Sequence, residues 1–282
     1  MSDDGANRAA TRWWILGILA VIVVVAIVAT ALLRGGGQQT ESSSPPQAAP
    51  STTAPDTPED EGETENSVSA DAFGRRVVTP SNDRGTPLTD QVHRTGDLCS
   101  HQEQVRTPKG LEIQRTHNVM TIWSTSDGPT DTTGVIPEEY SRTPAGAALA
   151  AWNLSTLTNA GGDVSTEVLA DYMGMSDEDG AEFRRIVKEE GGSAAIGQRQ
   201  GSEDLMVPDG HRILSCADDL VIVELAKPLG ADVSGPTDTY WQVLRIPMIW
   251  QGGQWQINGQ DDNTAVRETL HELGSEWSRW EF

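Results

Sequence analysis

An unbroken apolar run from Trp13 to Leu33 constrains this chain more than any other feature of its 282 residues. A helix of about 20 apolar residues spans a hydrocarbon core of about 30 Å. A helix that is apolar on all sides has no place at the surface of a water-soluble fold. The run therefore predicts a transmembrane helix at residues 13–33, and the lipid bilayer is the expected partner of this segment.

The residues on either side of the run indicate its orientation. Arg8 and Arg12 precede it, and no basic residue lies between Arg34 and Arg75. Basic residues close to a span stay on the cytoplasmic side. We therefore expect a cytoplasmic tail at residues 1–12 and a C-terminal part outside the cytoplasm, as in a single-pass protein of the cell membrane.

A cleaved signal peptide is the alternative interpretation of the same run. Ala29-Thr30-Ala31 has the small-x-small form of a cleavage site. The apolar region of a signal peptide normally spans about 7–15 residues, which is shorter than this run, so a retained anchor is favoured. A lipoprotein anchor is excluded, since no cysteine lies near the run.

Residues 34–70 follow the run and are built of Gly, Ser, Thr, Pro, Gln and acidic residues. Such a composition buries too little apolar surface to fold. Its prolines and the acidic run from Asp56 to Glu65 favour an extended spacer. The sequence thus predicts a disordered linker at residues 34–70 and an extracytoplasmic domain at residues 71–282.

Charge narrows the classes of partner. The chain has 20 Lys and Arg against 42 Asp and Glu, a net charge of −22. An acidic surface repels nucleic acid, whose binding depends on neutralising phosphates, so no nucleic-acid partner is expected. Solubility is the favoured reason for the charge, with a site for cations or a basic partner as the alternative.

Two cysteines, Cys99 and Cys216, lie in the part expected outside the cytoplasm. Thiols oxidise there, so we predict that they form one disulfide bond. Two separate buried thiols or an intermolecular bond remain alternatives. There is no Cys-x-x-Cys pair to support a redox-exchange role.

Helix signals concentrate in the middle of the chain. Thr143 and Pro144 have the pattern of a helix cap followed by a first-turn proline. Two further helices are predicted at Val164–Met173 and Ser176–Glu189, and Gly191-Gly192 is expected to end the second of these.

Strand signals lie on either side of those helices. Asn118–Trp123 reads as a buried strand, and Asp219–Ala226, Tyr240–Trp250 and Gln254–Asn258 read as later strands. Gly252-Gly253 separates the last two and predicts an antiparallel hairpin. Apolar spacing from Asn263 to Trp280 predicts a terminal helix. The expected class is α+β, with helices packed on an antiparallel sheet.

Three stretches of the sequence resemble a known family. They are VMTIWSTSDGPTDTTGVIPEEYSRTPAGAALAAWNL, the tryptophan hairpin WQGGQWQIN and the ending LGSEWSRWEF. Together they are similar to membrane-anchored exported proteins of actinobacteria, which have a Thr-Pro-x-Gly-Ala helix start and a Leu-x-Gly-aromatic-x-x-Trp ending. Here Leu273-Gly274-Ser275-Glu276-Trp277 departs from that ending.

The resemblance covers residues 118–282 and implies topology and lineage, with no established activity and no catalytic residues. Helices followed by an antiparallel sheet also resemble the nuclear-transport-factor cone of exported components of conjugation and type IV secretion machines. That second likeness rests on element order alone.

Residue patterns for metal binding do not form a motif. Five histidines are spread without ligand spacing, at His93, His101, His117, His211 and His271. His271-Glu272 lacks the second histidine of a zinc-protease helix. Asp177–Gly180 fails as a calcium loop, because Met175 and Ile186 stand where acidic ligands are needed. These acids are better explained as the amino end of a helix.

Candidates for catalysis are similarly weak. Asp218-Asp219 and Asp261-Asp262 could supply paired carboxylates, yet each pair borders a predicted element where turns and caps also use Asp. Contiguous nucleophile-elbow, Walker and dinucleotide motifs are missing from the sequence. Asn153-Leu154-Ser155 fits a glycosylation triplet but lies on a predicted helix, where a chance match is the favoured interpretation. No enzyme activity, metal or cofactor is predicted.

Trp241, Trp250 and Trp255 cluster on the predicted hairpin. If exposed, they could stack sugars or anchor a protein partner. Burial in the core is the favoured interpretation, since only three phenylalanines supply large apolar volume. The resulting hypothesis is a non-enzymatic, membrane-anchored interaction component of the envelope or of a conjugation or secretion apparatus, and the alternative is a wall-associated hydrolase or polysaccharide-binding protein.

Overall fold

The computed structural model of the chain describes residues 66–92, 94, 98–193, 206–229, 240–259 and 266–282. The helices in these ranges are α1 (His101–Gln104), α2 (Pro144–Leu157), α3 (Gly162–Asp171) and α4 (Asp177–Glu189). The strands are β1 (Ser67–Ala70), β2 (Arg76–Thr79), β3 (Glu112–Thr116), β4 (Val119–Trp123), β5 (Gly210–Cys216), β6 (Leu220–Pro228), β7 (Trp241–Gln251), β8 (Gln254–Ile257), β9 (Val266–Leu270) and β10 (Ser278–Arg279). The predicted α+β class is confirmed.

The described strands form two sheets. The first has the order β1-β2-β3-β4, in which β2 and β3 run parallel and the other pairs antiparallel. The second has the order β10-β5-β6-β7-β8, with β9 also paired to β7. The hairpin of β7 and β8 turns at Gly252 and Gly253, whose φ angles of +62° and +87° suit a tight hairpin turn. This predicted hairpin is confirmed.

Helix α2 packs against β4 of the first sheet and against β6 and β8 of the second. The Thr143 hydroxyl accepts a hydrogen bond from the Gly146 amide at 2.9 Å, and Pro144 occupies the first turn, as predicted. Nearly every residue of the helix is buried, including Ala147 and Ala151. Its alanines are small enough to let this helix pack closely against both sheets.

Helices α3 and α4 also form where the sequence predicted them. Ser176 caps α4 by accepting from the Asp179 amide, and three acidic residues occupy the first turn. The Gly192 amide donates to the Val187 carbonyl at 2.9 Å, and Gly191 adopts a φ of +118°, so the glycine pair ends α4. The acidic cluster is a helix start.

The predicted terminal helix is wrong in the part that is described. Val266–Leu270 is a strand that pairs antiparallel with β7, and β10 follows at Ser278. β-branched residues favour extended backbone, and β7 offers an open edge to pair with. Leu273 and Trp277 have helical spacing, but they reach their buried positions from a loop.

An ion network holds this C-terminal segment on the second sheet. The completely buried Glu224 carboxylate accepts hydrogen bonds from Arg212 and from Arg245. Arg212 also contacts Glu268 at 2.9 Å, and its guanidinium lies 4.8 Å from the ring centroid of Trp277. Arg212, Glu224 and Arg245 lie on β5, β6 and β7, respectively. Removing one of them would leave a buried charge without its partner, so the network couples these three strands.

Cys99 and Cys216 form a disulfide bond with an S–S distance of 2.03 Å, which confirms the predicted pair. The bond joins the segment before α1 to the end of β5. It links parts of the chain 117 residues apart, so it restricts the unfolded chain over a long loop.

Strand β1 lies inside the segment assigned to the linker, so paired structure begins before residue 71. All four of its side chains are exposed, and for that reason composition gave no sign of it. Among the described residues, no helix is long and apolar enough to cross a membrane. The predicted span at residues 13–33 and most of the predicted linker lie outside the described ranges.

Candidate interaction site

The turn between β1 and β2 builds one side of the candidate site. The Gly74 amide donates to the Asp71 carbonyl at 3.0 Å, and Gly74 adopts a φ of +76° that a side chain would strain. The Asp71 carboxylate also accepts from the Phe73 and Arg75 amides, both at 2.9 Å. The turn is therefore fixed internally, with Phe73 at its tip.

Arg75 joins this turn to the second sheet. Its Nε contacts Asp71 Oδ2 at 2.6 Å, and its Nη1 contacts Asp209 Oδ1 at 2.7 Å. Its Nη2 donates to the Val207 carbonyl at 3.0 Å. The guanidinium thus has three partners on two segments of the chain, and only 14% of the side chain is exposed.

Two phenylalanine rings lie on this anchored guanidinium. The Arg75 Cζ is 5.5 Å from the ring centroid of Phe73 and 5.2 Å from that of Phe282, both within cation–π range. The two residues are 40% and 38% exposed, respectively. We call Phe73, Arg75, Asp209, Trp241 and Phe282 the Arg75 cluster.

The end of the chain is held so that Phe282 reaches Arg75. The Trp280 amide donates to the Asp209 carbonyl at 2.8 Å, and its indole Nε1 donates to His211 Nδ1 at 2.9 Å. His211 is completely buried, which lowers its pKa to about 4, so the ring is neutral near pH 7. A neutral ring can accept the indole hydrogen bond.

Asp209 is the acidic centre of the cluster. Burial raises the pKa of its carboxyl group, while the Trp241 hydrogen bond and the Arg75 charge act in the opposite direction. The Trp241 indole donates to Asp209 Oδ2 at 2.7 Å. Arg75 and Trp241 thus bind the two oxygens of one carboxylate, and the cluster is preorganised around it.

The three tryptophans singled out in the sequence do not form one surface. Trp241 and Trp250 stand near opposite ends of β7, about 30 Å apart at the usual rise per residue. Trp255 is 2% exposed, and its indole donates to the Ser141 carbonyl at 3.0 Å. Trp250 is half-buried, with its ring centroid 5.2 Å from that of Trp255 and 5.5 Å from the Arg142 guanidinium carbon.

Asp218 and Asp219 are exposed residues of the bend between β5 and β6, and their backbone carbonyls contact other segments. The Asp218 carbonyl accepts from Arg142 at 2.6 Å, and the Asp219 carbonyl accepts from the Trp250 amide at 2.8 Å. Asn153 is completely buried. Asp261-Asp262 and His93 lie outside the described ranges. The described part of the chain holds no group of three His, Cys, Asp or Glu side chains arranged for a metal ion.

Sequence reasoning missed four members of the Arg75 cluster and found only Trp241. The cluster joins residues 73–75 with residues 209, 241 and 282, a combination that no local pattern reveals. One signal was available. The chain has three phenylalanines, and those at the turn Asp71–Gly74 and at the last position stand outside any apolar run.

Comparison with known proteins adds a family without an activity. A family model described as a domain of unknown function (DUF8175) matches residues 78–278. No curated protein and no solved structure matches the chain. The likeness to a nuclear-transport-factor cone, and the links to actinobacteria and to conjugation, therefore stay predictions.

Proposed function

We propose that this chain, which belongs to the DUF8175 family of domains of unknown function, is a non-enzymatic interaction component on the outer side of a membrane. Residues 13–33 anchor it, residues 34–65 extend it, and the folded part binds another protein of the envelope or of a conjugation or secretion apparatus. The observation that carries the proposal is the exposed pair Phe73 and Phe282 on an anchored Arg75.

A phenylalanine ring at the surface does not contribute the stability that it would give in the core. Burying such a ring stabilises a fold by about 1.5–3 kcal/mol relative to leaving it exposed. This chain has three phenylalanines and leaves two of them well exposed. Aromatic side chains and arginine are enriched where protein interfaces gain most of their binding energy.

The geometry around Arg75 favours binding over a role in packing alone. Its hydrogen bonds to Asp71, Asp209 and Val207 fix the guanidinium before a partner arrives. The two rings are held against it, so little side-chain freedom is left to lose on association. The net charge of −22 adds attraction for a basic partner.

Complementation of a deletion strain tests the proposal. The double variant Phe73→Ala and Phe282→Ala in the full chain should lose the biological activity, whereas Val105→Ala should keep it. Val105 is the matched control, since it is 50% exposed and lies outside the Arg75 cluster. Thermal unfolding and membrane blots check that each variant folds and accumulates.

A second set of variants addresses the hydrolase alternative. Replacing Asp218, Asp219, Asp261 and Asp262 with Asn should leave activity largely intact, while removal of residues 13–33 or 34–65 should abolish it. A hydrolase would show the reverse, because loss of a general acid or base typically costs 10²–10⁴-fold in rate. A folded but inactive Asn variant would overturn the proposal.

A further inference from the structure

The edges of the sheets differ in how their backbone groups are satisfied. On β4, the Ile122 amide donates to Asn153 Oδ1 at 2.8 Å, and the Ile122 carbonyl accepts from Asn153 Nδ2 at 2.9 Å. The Trp152 indole donates to the Met120 carbonyl at 2.9 Å. Two side chains of α2 thus take the place of a neighbouring strand and close this edge.

The outer strands of the second sheet are β8 and β10. On β8, the Ile257 amide donates to the Tyr172 carbonyl at 2.8 Å. β10 has only two residues, pairs antiparallel with β5 and is followed by the docked Trp280. β9 has no further strand beside it in the described ranges, but it carries the exposed Glu268, and charged side chains protect an edge from pairing.

Strand β1 is the open edge of the first sheet. The Asp71 amide donates to the Arg75 carbonyl at 3.0 Å, which makes this a hydrogen-bonded pair of the hairpin. Hydrogen-bonded and non-hydrogen-bonded pairs alternate along an antiparallel ladder. The backbone N–H and C=O groups of Ser67 and Ser69 therefore face β2, while those of Val68 and Ala70 point outward. These outward groups make no hydrogen bond with any residue in the described ranges.

The sequence of β1 offers no protection against pairing beyond its shortness. Ser-Val-Ser-Ala contains no charge and no proline, and the side chain of Val68 is 58% exposed. Lysine, proline or a bulge would normally blunt such an edge. Binding of an extended peptide to an exposed edge is a recurrent recognition mode, in which main-chain hydrogen bonds give affinity.

We propose that β1 accepts a strand from a basic partner protein, which adds to the first sheet through the outward groups of Val68 and Ala70. This inference rests on the interaction function proposed above and specifies its mode. Phe73 lies in the turn that directly follows β1, so an added strand that runs along β1 ends beside the Arg75 cluster.

The negative charge of this chain favours a basic partner over a second copy of the chain as the occupant of the β1 edge. Six acidic residues occupy positions 56–65, directly before β1, and none of the residues there is basic. Two copies paired through β1 would bring together two chains that each carry a net charge of −22. A strand that carries Lys or Arg gains attraction to the negative charge of the chain instead.

The test uses the full chain in detergent and a labelled peptide, Thr-Val-Thr-Val-Thr-Lys-Lys, with blocked ends. Fluorescence anisotropy at 0.15 M salt should show binding to the wild-type chain. A peptide of the same sequence with alternate backbone nitrogens methylated has the same charge but cannot donate those hydrogen bonds, so it should bind at least tenfold more weakly. Amide exchange at Val68 and Ala70 should slow when the first peptide is bound.

Two proline variants separate the edge from the turn. Ala70→Pro removes an outward donor while the β1–β2 hydrogen bonds remain, and should weaken peptide binding at least tenfold. Ala72→Pro places the same change in the turn, where proline is favoured, and should bind like the wild type. Val68→Lys provides a second edge variant if Ala70→Pro unfolds, and it should also bind at least tenfold more weakly.

Several results would overturn the proposal. These are no binding to the wild-type chain, equal binding by Ala70→Pro or by folded Val68→Lys, or unprotected amides at Val68 and Ala70. A dimer in sedimentation that Ala70→Pro abolishes would assign the edge to a second copy instead. If complementation requires Phe73 and Phe282 but not an open β1 edge, strand addition fails while the interaction function stands; if it requires neither, the interaction function fails as well.

Discussion

The two edges of the first sheet solve the same problem in opposite ways. On β4, every residue is buried, and Asn153 supplies both a donor and an acceptor to Ile122. On β1, every residue is exposed, so the outward groups are open to solvent. A buried backbone group without a partner costs about 1–3 kcal/mol, whereas an exposed one costs little. Closure at β4 is therefore a requirement for stability, and the open β1 edge is available for binding.

The largest effect is expected at the closed edge. Asn153→Leu removes the partners of the Ile122 amide and carbonyl and of the Tyr140 hydroxyl, which donate to or accept from Asn153 at 2.8–2.9 Å. All of these groups stay buried, so we expect a loss of about 4 kcal/mol in the free energy of unfolding. Urea unfolding measures it, with Ser155→Ala on the same helix as the control.

A loss below about 1 kcal/mol for Asn153→Leu would show that the helix does not act as the edge partner of β4. The comparison with β1 would then lose its basis, because both edges would tolerate unpaired groups. The Ser155→Ala control should change stability by less than about 0.5 kcal/mol.

The second effect is a pH dependence of stability, and it comes from His211 on β5, which pairs with β10. Burial lowers the pKa of His211 to about 4, while an unfolded histidine titrates near 6.5. Between these values the unfolded chain binds a proton that the folded chain does not, so stability falls as the pH drops from about 6.5 to about 4. The full difference corresponds to about 3 kcal/mol.

Comparison of unfolding curves at pH 7 and pH 4 for the wild type and for His211→Gln isolates the contribution of His211 to the loss of stability. Glutamine keeps an acceptor for the Trp280 indole but does not titrate, so the variant should lose less stability on acidification. His101→Gln, at an exposed position, serves as the control and should follow the wild type. Identical slopes for all three proteins would contradict the assignment.

A smaller effect is expected for the second contact that closes β4. Trp152→Phe keeps an aromatic ring but removes the donor to the Met120 carbonyl. One unsatisfied carbonyl and a smaller ring should lower the free energy of unfolding by about 2 kcal/mol. A loss equal to that of Asn153→Leu would mean that packing of the ring, rather than the number of edge hydrogen bonds, dominates at this edge.

Elements set by local chemistry were predictable from the sequence. The cap at Thr143, the acidic start of α4 and the glycine pair of the β7–β8 hairpin act within a few residues, and each formed as expected. The predicted terminal helix was wrong because the apolar spacing of this segment does not by itself distinguish a helix from a strand. Pairing of β9 with β7 decided the outcome, and pairing depends on an edge that residues 266–270 do not encode.

The candidate site was harder to predict, because it is a product of long-range contacts. Arg75 meets Asp209 across 134 positions of the chain, and Asn153 meets Ile122 across 31. The glycosylation triplet at Asn153 was interpreted as a chance match, and the complete burial of this side chain agrees with that interpretation. The contact of Asn153 with β4 could not be foreseen from the triplet.

The smallest effect is expected at the open edge, and its smallness is informative. The exposed Val68 side chain has little contact to lose, and its backbone groups are already hydrated, so Val68→Lys should shift the free energy of unfolding by less than about 0.5 kcal/mol. The same substitution at Val119 of β4, which is completely buried, should destabilise the fold by several times that amount, since an unpaired charge would be buried. Thermal and urea unfolding of the two variants measure the contrast directly.

A loss above about 2 kcal/mol at Val68 would mean that the β1 edge is already covered in the full chain, because only a covered edge responds to a buried charge. In that case β1 would belong with the closed edges, and a partner strand would have no place to bind.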